Sequence, residues 1–396
     1  MTIKFIMISA FAILIVNANA QPQVFILNAK RLQEIKHEML QKDKGILQLV
    51  DRLRKQADDL LAMKLISVVD KNFSPVSGDK HDYMSIAPYF WYDSTKPNGL
   101  PYMRRDGERN PEILKITDHK YLSELDHATQ ILSLAYYLTG EEKYADKAAV
   151  LLKHWFLDKD FKMNPNLDYA QAIPGINNGR GIGIIETRSL TGIADAAGLL
   201  SNSKAWTDSD TKELQDWYAQ FLHWMLTSKN GNDEHRAKNN HGSWYLVQAI
   251  DFALFTGNKS EALMLSKEAK NKIDSQVTVE GKMPLELART NALGYSTFNL
   301  NALFTLALLA EKSGINLWYY KNAKGAGLQT ALDWLSPFAL EEKKWAYKQI
   351  NKYNKNDFYP LLCIAADKFK QPSFLVKANK LNEENDSLIN QLLYKN

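Results

Sequence analysis

Residues Tyr121–Trp155 read YLSELDHATQILSLAYYLTGEEKYADKAAVLLKHW, and this stretch decides the fold. From Tyr121 to Leu138 the apolar side chains recur at helical spacing. Thr139-Gly140 halts the run, and a second helix follows through Trp155. The same grammar returns at Asp251–Lys270, with Thr256-Gly257 as the stop before Glu261. Gly198 in AAGLLSNSKAW and Gly314 in AEKSGINLW occupy similar helix ends. These four glycines lie 58, 59 and 57 residues apart. Such a period fits two helices of about 20 residues plus their loops, and a hairpin that cannot bury its apolar face alone must stack on its neighbours. No series of alternating strands competes with this pattern. The expected architecture is therefore all-α, an (α/α) toroid of helical hairpins forming a single domain over residues 21–396, with a central cleft. Three long polar or aromatic connections, 71–111, 161–185 and 229–238, are expected to be loops at that cleft, where long connections usually serve function.

The first twenty residues read as a signal peptide. Lys4 supplies the positive start, Phe5 to Val16 the apolar run, and Ala18-Asn19-Ala20 the small-x-small pattern that predicts cleavage after Ala20. No later stretch reads as long enough to span a bilayer. A soluble periplasmic or secreted protein is expected, with no membrane insertion. Its lone Cys363 cannot staple the fold internally, so stability must come from a large core. Of 49 basic residues, removal of Lys4 leaves 48 against 45 acidic ones. That near-neutral balance gives no nucleic-acid footprint, so recognition of an anion must rest on local charge. Arginine is the sharper signal: there are ten, none beyond Arg289. Those from Arg104 to Arg289 are the candidates for binding carboxylates, because the guanidinium fork matches that group.

Two constellations could carry chemistry. Lys238-Asn239-Asn240-His241-Gly242-Ser243-Trp244-Tyr245 opens an apolar helix, and its amides, imidazole and aromatics suit a sugar acid as well as a helix cap. Pro284–Tyr295, PLELARTNALGY, places Arg289 six residues before Tyr295. Gly294 is expected to permit an unusual backbone beside Tyr295, and a nearby guanidinium is expected to lower the phenol's pKa. A core tyrosine whose hydroxyl has found a partner is the plainer reading. Asn177, Asn178, Arg180 and Arg188 cluster in NNGRGIGIIETRSL, where Arg188 is read on a helix beginning near Glu186. It either reaches the cleft or pairs with a glutamate. His81, Tyr83, Tyr89, Trp91 and Tyr92 form an aromatic loop that either stacks on a glycan or anchors itself to the toroid. His127 reads as a satisfied helix histidine. Asp233, Glu234, His235 and His241 lie close in sequence, but HExxH, paired-Cys and Ca-loop spacings are missing, so neither a metal nor a cofactor is expected.

NNHGSWY resembles the Asn-His motif of the alginate-lyase superfamily of polysaccharide lyases with the (α/α) toroid fold. PLELARTNALGYSTFNL resembles the Arg- and Tyr-bearing segment of mannuronate-specific members, and SGDKHDYMSIAPYFWYD, Ser77–Asp93, resembles their N-terminal loop. The three occur in family order. The second segment is one residue shorter between Arg and Tyr than in those members. Asn291, Gly294 and Ser296 replace their flanking basic and histidine residues, which puts mannuronate against glucuronan in question.

The resemblance implies β-elimination on a 1,4-linked uronate polymer, an anionic polysaccharide partner such as alginate or glucuronan. Asn240 and His241 would neutralise the carboxylate, Tyr295 would act as base and acid, and Arg289 would assist. Asn239, Lys238, Trp244, Tyr245, Arg188, Arg180, Asn178, His81, Tyr83, Trp91 and Tyr92 are the expected substrate-binding residues. Two rivals stay open at this level. A glycoside hydrolase would recruit a pair from Asp118, Glu124, Asp126 and Glu186, and a glycan-binding protein would need only the stacking aromatics.

Overall fold

The computed structural model describes residues 21–382 and 387–394. The predicted signal peptide, residues 1–20, lies outside them. Helices dominate, and they pair as the sequence pattern predicts. The Tyr121–Trp155 stretch becomes α3 (Asp118–Thr139) and α4 (Glu142–Phe156), preceded by α1 (Ala29–Leu40) and α2 (Lys44–Leu61). Next come α5 (Leu190–Leu199) and α6 (Asp208–Thr227), then the short α7 (Lys229–His235), then the hairpin of α8 (Asn240–Phe255) and α9 (Lys259–Gln276). One turn, α10 (Pro284–Leu287), leads to α11 (Ala292–Lys312) and α12 (Leu328–Ala339). The described chain ends in α13 (Tyr359–Lys368), α14 (Ser373–Asn382) and α15 (Leu388–Tyr394).

The ring follows from the contacts. Helices α3, α5, α8 and α11 pack side by side, α11 on α13, α13 on α15, α15 on α2, and α2 back on α3. Arg31 on α1 donates to the Leu392 carbonyl, 361 residues away, and Arg52 on α2 donates to Gln391, so the first and last helices close the ring. Inner helices are apolar on several faces because they touch neighbours on both sides; α8 buries thirteen of its sixteen residues. Outer helices such as α9 keep one buried stripe and turn Lys259, Lys267 and Lys270 outward, with Lys272 buried against the His235 and Ala237 carbonyls. An aromatic seam joins α6 to α8, with Phe252 5.1 Å from Tyr218 and 5.8 Å from Phe221. Truncating Phe252 to Ala there costs about 3–5 kcal/mol.

Four expectations need correction. Gly140, Gly257 and Gly314 are left-handed, with φ of 73°, 74° and 77°, but Gly198 lies within α5. A Cβ there would come within 1.9 Å of the Gln23 carbonyl, so this glycine admits the N-terminal segment rather than ending a helix. Residues 229–238 are largely helical as α7. Arg188 precedes α5, in a 3₁₀ segment Gly181–Ser189. Finally, α11 is long and apolar enough to cross a membrane by composition, but 67% of that window is buried in the ring, as suits a core helix.

The other two long connections hold the few strands. β1 (Met84–Ile86) pairs in parallel with β4 (Tyr169–Ala172), and β2 (Phe90–Trp91) pairs antiparallel with β3 (Met103–Arg104). The β1–β4 ladder stitches connection 71–111 to connection 161–185 over one end of the ring. At the other end Phe25, Ile26 and Leu27 donate backbone N–H groups to the buried Asp195 carboxylate at 2.5, 3.0 and 2.7 Å.

Candidate active site

A cleft of about 690 Å³ opens beneath these stitched loops. The N-terminus of α8 enters one wall, the start of α11 another, and residues 88–109 and 171–188 complete it. The two sequence constellations thus meet: Asn239, Asn240 and His241 share the cleft with Arg289 and Tyr295. Arg180 and Arg188 also line it, as do Arg104 and Arg109, so five of the ten arginines face one cavity. Arg109 is exposed and has no side-chain partner among the described residues. With the N-terminus of a sixteen-residue helix added, the cleft is built for anions.

Each group is held by a partner that the local sequence did not announce. His241 Nδ1 lies 2.6 Å from Oε1 of the buried Glu234. A carboxylate there accepts the Nδ1–H and fixes the ring, leaving Nε2 as the working nitrogen. Asn240 donates both its backbone N–H and its side-chain amide to Glu286, each at 2.7 Å. Burial pushes the Glu286 carboxyl up despite those bonds. Asn239 occupies the N-cap position, but its side chain makes no capping bond. Its amide is therefore not consumed by the helix.

Arg289 donates to both oxygens of Asp106, at 2.8 and 3.2 Å, and its guanidinium carbon lies 3.7 Å from the Tyr295 ring centroid. Burial would raise the Asp106 carboxyl, but the Arg289 and Thr290 bonds outweigh it and hold the group well below the usual range. Tyr295 runs against expectation. Burial, and then the Tyr89 hydroxyl 2.8 Å away, push its phenol up, and Arg289 opposes them without prevailing. The guanidinium is already paired with Asp106, so it has less charge to spend on the phenolate. Gly294 lies within α11 at helical φ, with only Gln349 near its Cβ position. It supplies no unusual backbone. Strain sits instead at Gln171, a non-glycine residue at φ 49° that accepts two bonds from Arg180.

Several expected binding residues lie elsewhere. Tyr83 is fully buried and donates to Glu186, and Tyr245 is buried, donating to the Met225 carbonyl beneath His235, so neither can stack on a sugar. Trp244 packs on Phe298 at 5.1 Å and faces a second cavity below the cleft. Lys238 and Asn178 are exposed but outside the lining. His81 ties its loop to the Lys162 carbonyl, Trp91 bonds the Glu108 carbonyl beneath Arg105, and Tyr92 meets Tyr102 edge-on. These three anchor the loop. The acids and histidines of 233–241 are held in separate pairs, His235 with Glu268, Glu234 with His241, and Asp233 with Lys229 and Arg236. Of the acids a hydrolase would recruit, Asp118 pairs with Lys71 and Glu124 with Lys120, Asp126 and Glu186 both line the lower cavity, and Glu186 alone of the four also borders the cleft.

Comparison with known proteins identifies relatives of the whole fold. The family model described as "Alginate lyase" matches residues 67–345. A crystal structure of an alginate lyase from Bacteroides ovatus superimposes with a TM-score of 0.88 at 38% identity, covering 94% of this chain and 99% of that one. Alginate lyase A1-III from Sphingomonas species A1 shares the fold with a TM-score of 0.55 at 15% identity, covering 87% and 94%. A tetrasaccharide complex of A1-III gives the same score at 14% identity, again over 87% and 94%. No curated protein matches the chain. The toroid, the family match over most of the chain and the 38% identical structure together place this chain in the alginate lyase family as a polysaccharide lyase.

Proposed function

We infer that the protein cleaves a 1,4-linked uronate polymer, polymannuronate or glucuronan, by β-elimination. The observation that carries this reading is the Tyr295 hydroxyl in the same arginine-rich cleft as the Asn239-Asn240-His241 helix start. The C5 proton of a uronate is poorly acidic beside its carboxylate, because removing it builds a dianion. Donors aimed at that carboxylate must stabilise the charge as it forms. The second side-chain N–H of Asn240, the Nε2–H of a doubly protonated His241 ring and the α8 N-terminus are the donors assigned here. Glu234 and Glu286 hold the first two in place.

In mannuronate and glucuronate the C5 proton and the departing 4-oxygen share one face of the ring. Tyr295, as phenolate, takes the C5 proton; the electron pair forms the C4–C5 double bond and expels the 4-oxygen. The same hydroxyl then returns the proton to that oxygen. The alginate lyase A1-III complex with a tetrasaccharide supports a cleft of this type accepting several sugars. Arg109 and Arg180 would hold flanking carboxylates. Export through cleavage after Ala20 belongs to the same reading, since a polymer substrate is met outside the cytoplasm.

The test is absorbance of the unsaturated uronide on polymannuronate, polyguluronate, glucuronan, hyaluronan and pectate, with and without chelator. A chelator-insensitive rise on polymannuronate or glucuronan is expected. A rise on polyguluronate alone would move the base to His241, because there the two groups lie on opposite faces. Loss of absorbance from unsaturated oligosaccharides, with no rise on any polymer, would overturn the reading in favour of a hydrolase.

A further inference from the structure

Residues 341–355, EEKKWAYKQINKYNK, leave the outer layer after α12 and run back to the cleft as a strap. The strap is bonded to the segment that carries Arg289 and Tyr295. Ala292 donates to the Lys348 carbonyl at 2.9 Å and Ile350 donates to the Thr290 carbonyl at 3.1 Å. Gln349 pairs with Asn291 as an antiparallel bridge, and its side chain accepts from the Leu293 N–H at 3.0 Å. Ile350 reaches toward Gly107, where a Cβ would meet it at 3.0 Å. The strap thus forms a rim between the catalytic segment and the Arg104–Asp106 hairpin.

Its charge is unbalanced. Glu341 and Glu342 are taken by Lys355 and Lys380 at 2.8 and 3.1 Å. Lys343, Lys344, Lys348 and Lys352 are exposed and form no side-chain ion pair among the described residues. Among them stands Tyr347, 38% exposed and held 5.1 Å from Trp345, which itself packs on Phe338 and Trp334 at 5.2 and 6.0 Å. A rigidly backed phenol ring among free ammonium groups is a surface for a negatively charged sugar chain. The ring offers a face for a pyranose and the lysines offer charge without fixed geometry.

We propose that the 343–352 strap is a distal binding surface for the stretch of anionic polysaccharide that leaves the cleft, so that the protein prefers long chains to short ones. This rests on the polyuronate reading above. Exposed cations of this kind draw in a polyanion and act mainly on encounter and KM, and salt screens them.

The experiment compares a strap variant, Lys343→Gln/Lys344→Gln/Lys348→Gln/Lys352→Gln, with a charge-matched control, Lys55→Gln/Lys159→Gln/Lys204→Gln/Lys267→Gln, on exposed lysines elsewhere. KM and kcat are measured on long polyuronate and on a purified tetrasaccharide at low and high salt. Retardation in gels containing the polymer reads binding without turnover. The strap variant should show a roughly tenfold higher KM on polymer at low salt. It should also show a much smaller rise on tetrasaccharide, the same kcat, and weakened retardation. High salt should erase the difference from the parent. A strap variant that matches the control in both KM and retardation overturns the proposal while leaving the lyase reading intact. A parent protein that is retarded by polyuronate more than the strap variant but never produces unsaturated ends would instead sink the elimination reading and leave the surface supported.

Discussion

Replacing Tyr295 by Phe removes one oxygen and asks the cleft to work without it. The ring stays beneath Arg289, 3.7 Å from its guanidinium, and the only bond lost is the 2.8 Å contact with Tyr89. One such hydrogen bond is worth about 1 kcal/mol, so Tm should fall by only about 2 °C. Catalysis should fall much further. A positioned base or acid contributes about 10²–10⁴, and here both roles rest on the same hydroxyl. A kcat loss of at least about 10³, roughly 4 kcal/mol of barrier, is expected. The assay is continuous absorbance of the unsaturated product, with gel retardation as a check that polymer still binds. The parent's pH profile is a second reading. Because burial and Tyr89 push the phenol up, phenolate is scarce at neutral pH, and kcat/KM should climb toward alkaline pH. A Phe variant that turns over within tenfold of the parent would refute the assignment. So would a parent profile that is flat above pH 7.

Four further outcomes test other parts of the molecule. Glu234→Gln should keep the fold but lower kcat roughly tenfold, because the amide can turn its N–H toward Nδ1 and release the His241 ring; steady-state kinetics with a Tm control checks it. Asp126 is pushed up to about 7, chiefly by burial against the Gln130 bond. Its native form therefore binds more protons than the unfolded chain between about pH 4 and 7, and its contribution to stability falls as pH rises through that window; Asp126→Asn should raise Tm by a few degrees at pH 8 and leave it unchanged near pH 4, by calorimetry. Asp195→Ala strands the buried N–H of Phe25 and the partly buried N–H groups of Ile26 and Leu27, costing at least about 2 kcal/mol, and should expose residues 21–28 to limited proteolysis. Gly140→Ala, strained but with open space around its Cβ, should cost about 1 kcal/mol, whereas Gly198→Ala should also release the N-terminal segment to protease.

The ring was legible because its cause is local. Apolar spacing and three left-handed glycines act within one hairpin, and the hairpin repeats. Gly198 fooled the pattern because its small size answers to Gln23, far away in sequence, and sequence spacing cannot separate that use from a helix stop. The site was half legible. Asn240, His241, Arg289 and Tyr295 announced themselves by residue type and by family resemblance. Their holders did not: Glu234 reads as one acid in a charged stretch, Glu286 as one charge in PLELAR, and Asp106 lies 183 residues from Arg289. The pKa of Tyr295 was misjudged for the same reason. The sequence shows that an Arg is near, but not that a distant Asp already holds it. For the aromatic loop, composition alone could not separate exposed rings from buried ones, and the fully buried Tyr83 fell on the wrong side.

The bond from Arg31 to the Leu392 carbonyl sets an order of events as well as a shape. Hairpins such as α3–α4 can form as soon as their own residues are available, within microseconds for single helices. Closure of the ring must wait until α15 exists, and it draws together segments 361 residues apart. The entropic cost of so long a loop grows only slowly with its length, but contacts at that separation are late and slow. Until then α2 and α13 present open apolar flanks where α15 will lie. The ring is thus a spiral with one seam, closed where α15 meets α1 and α2.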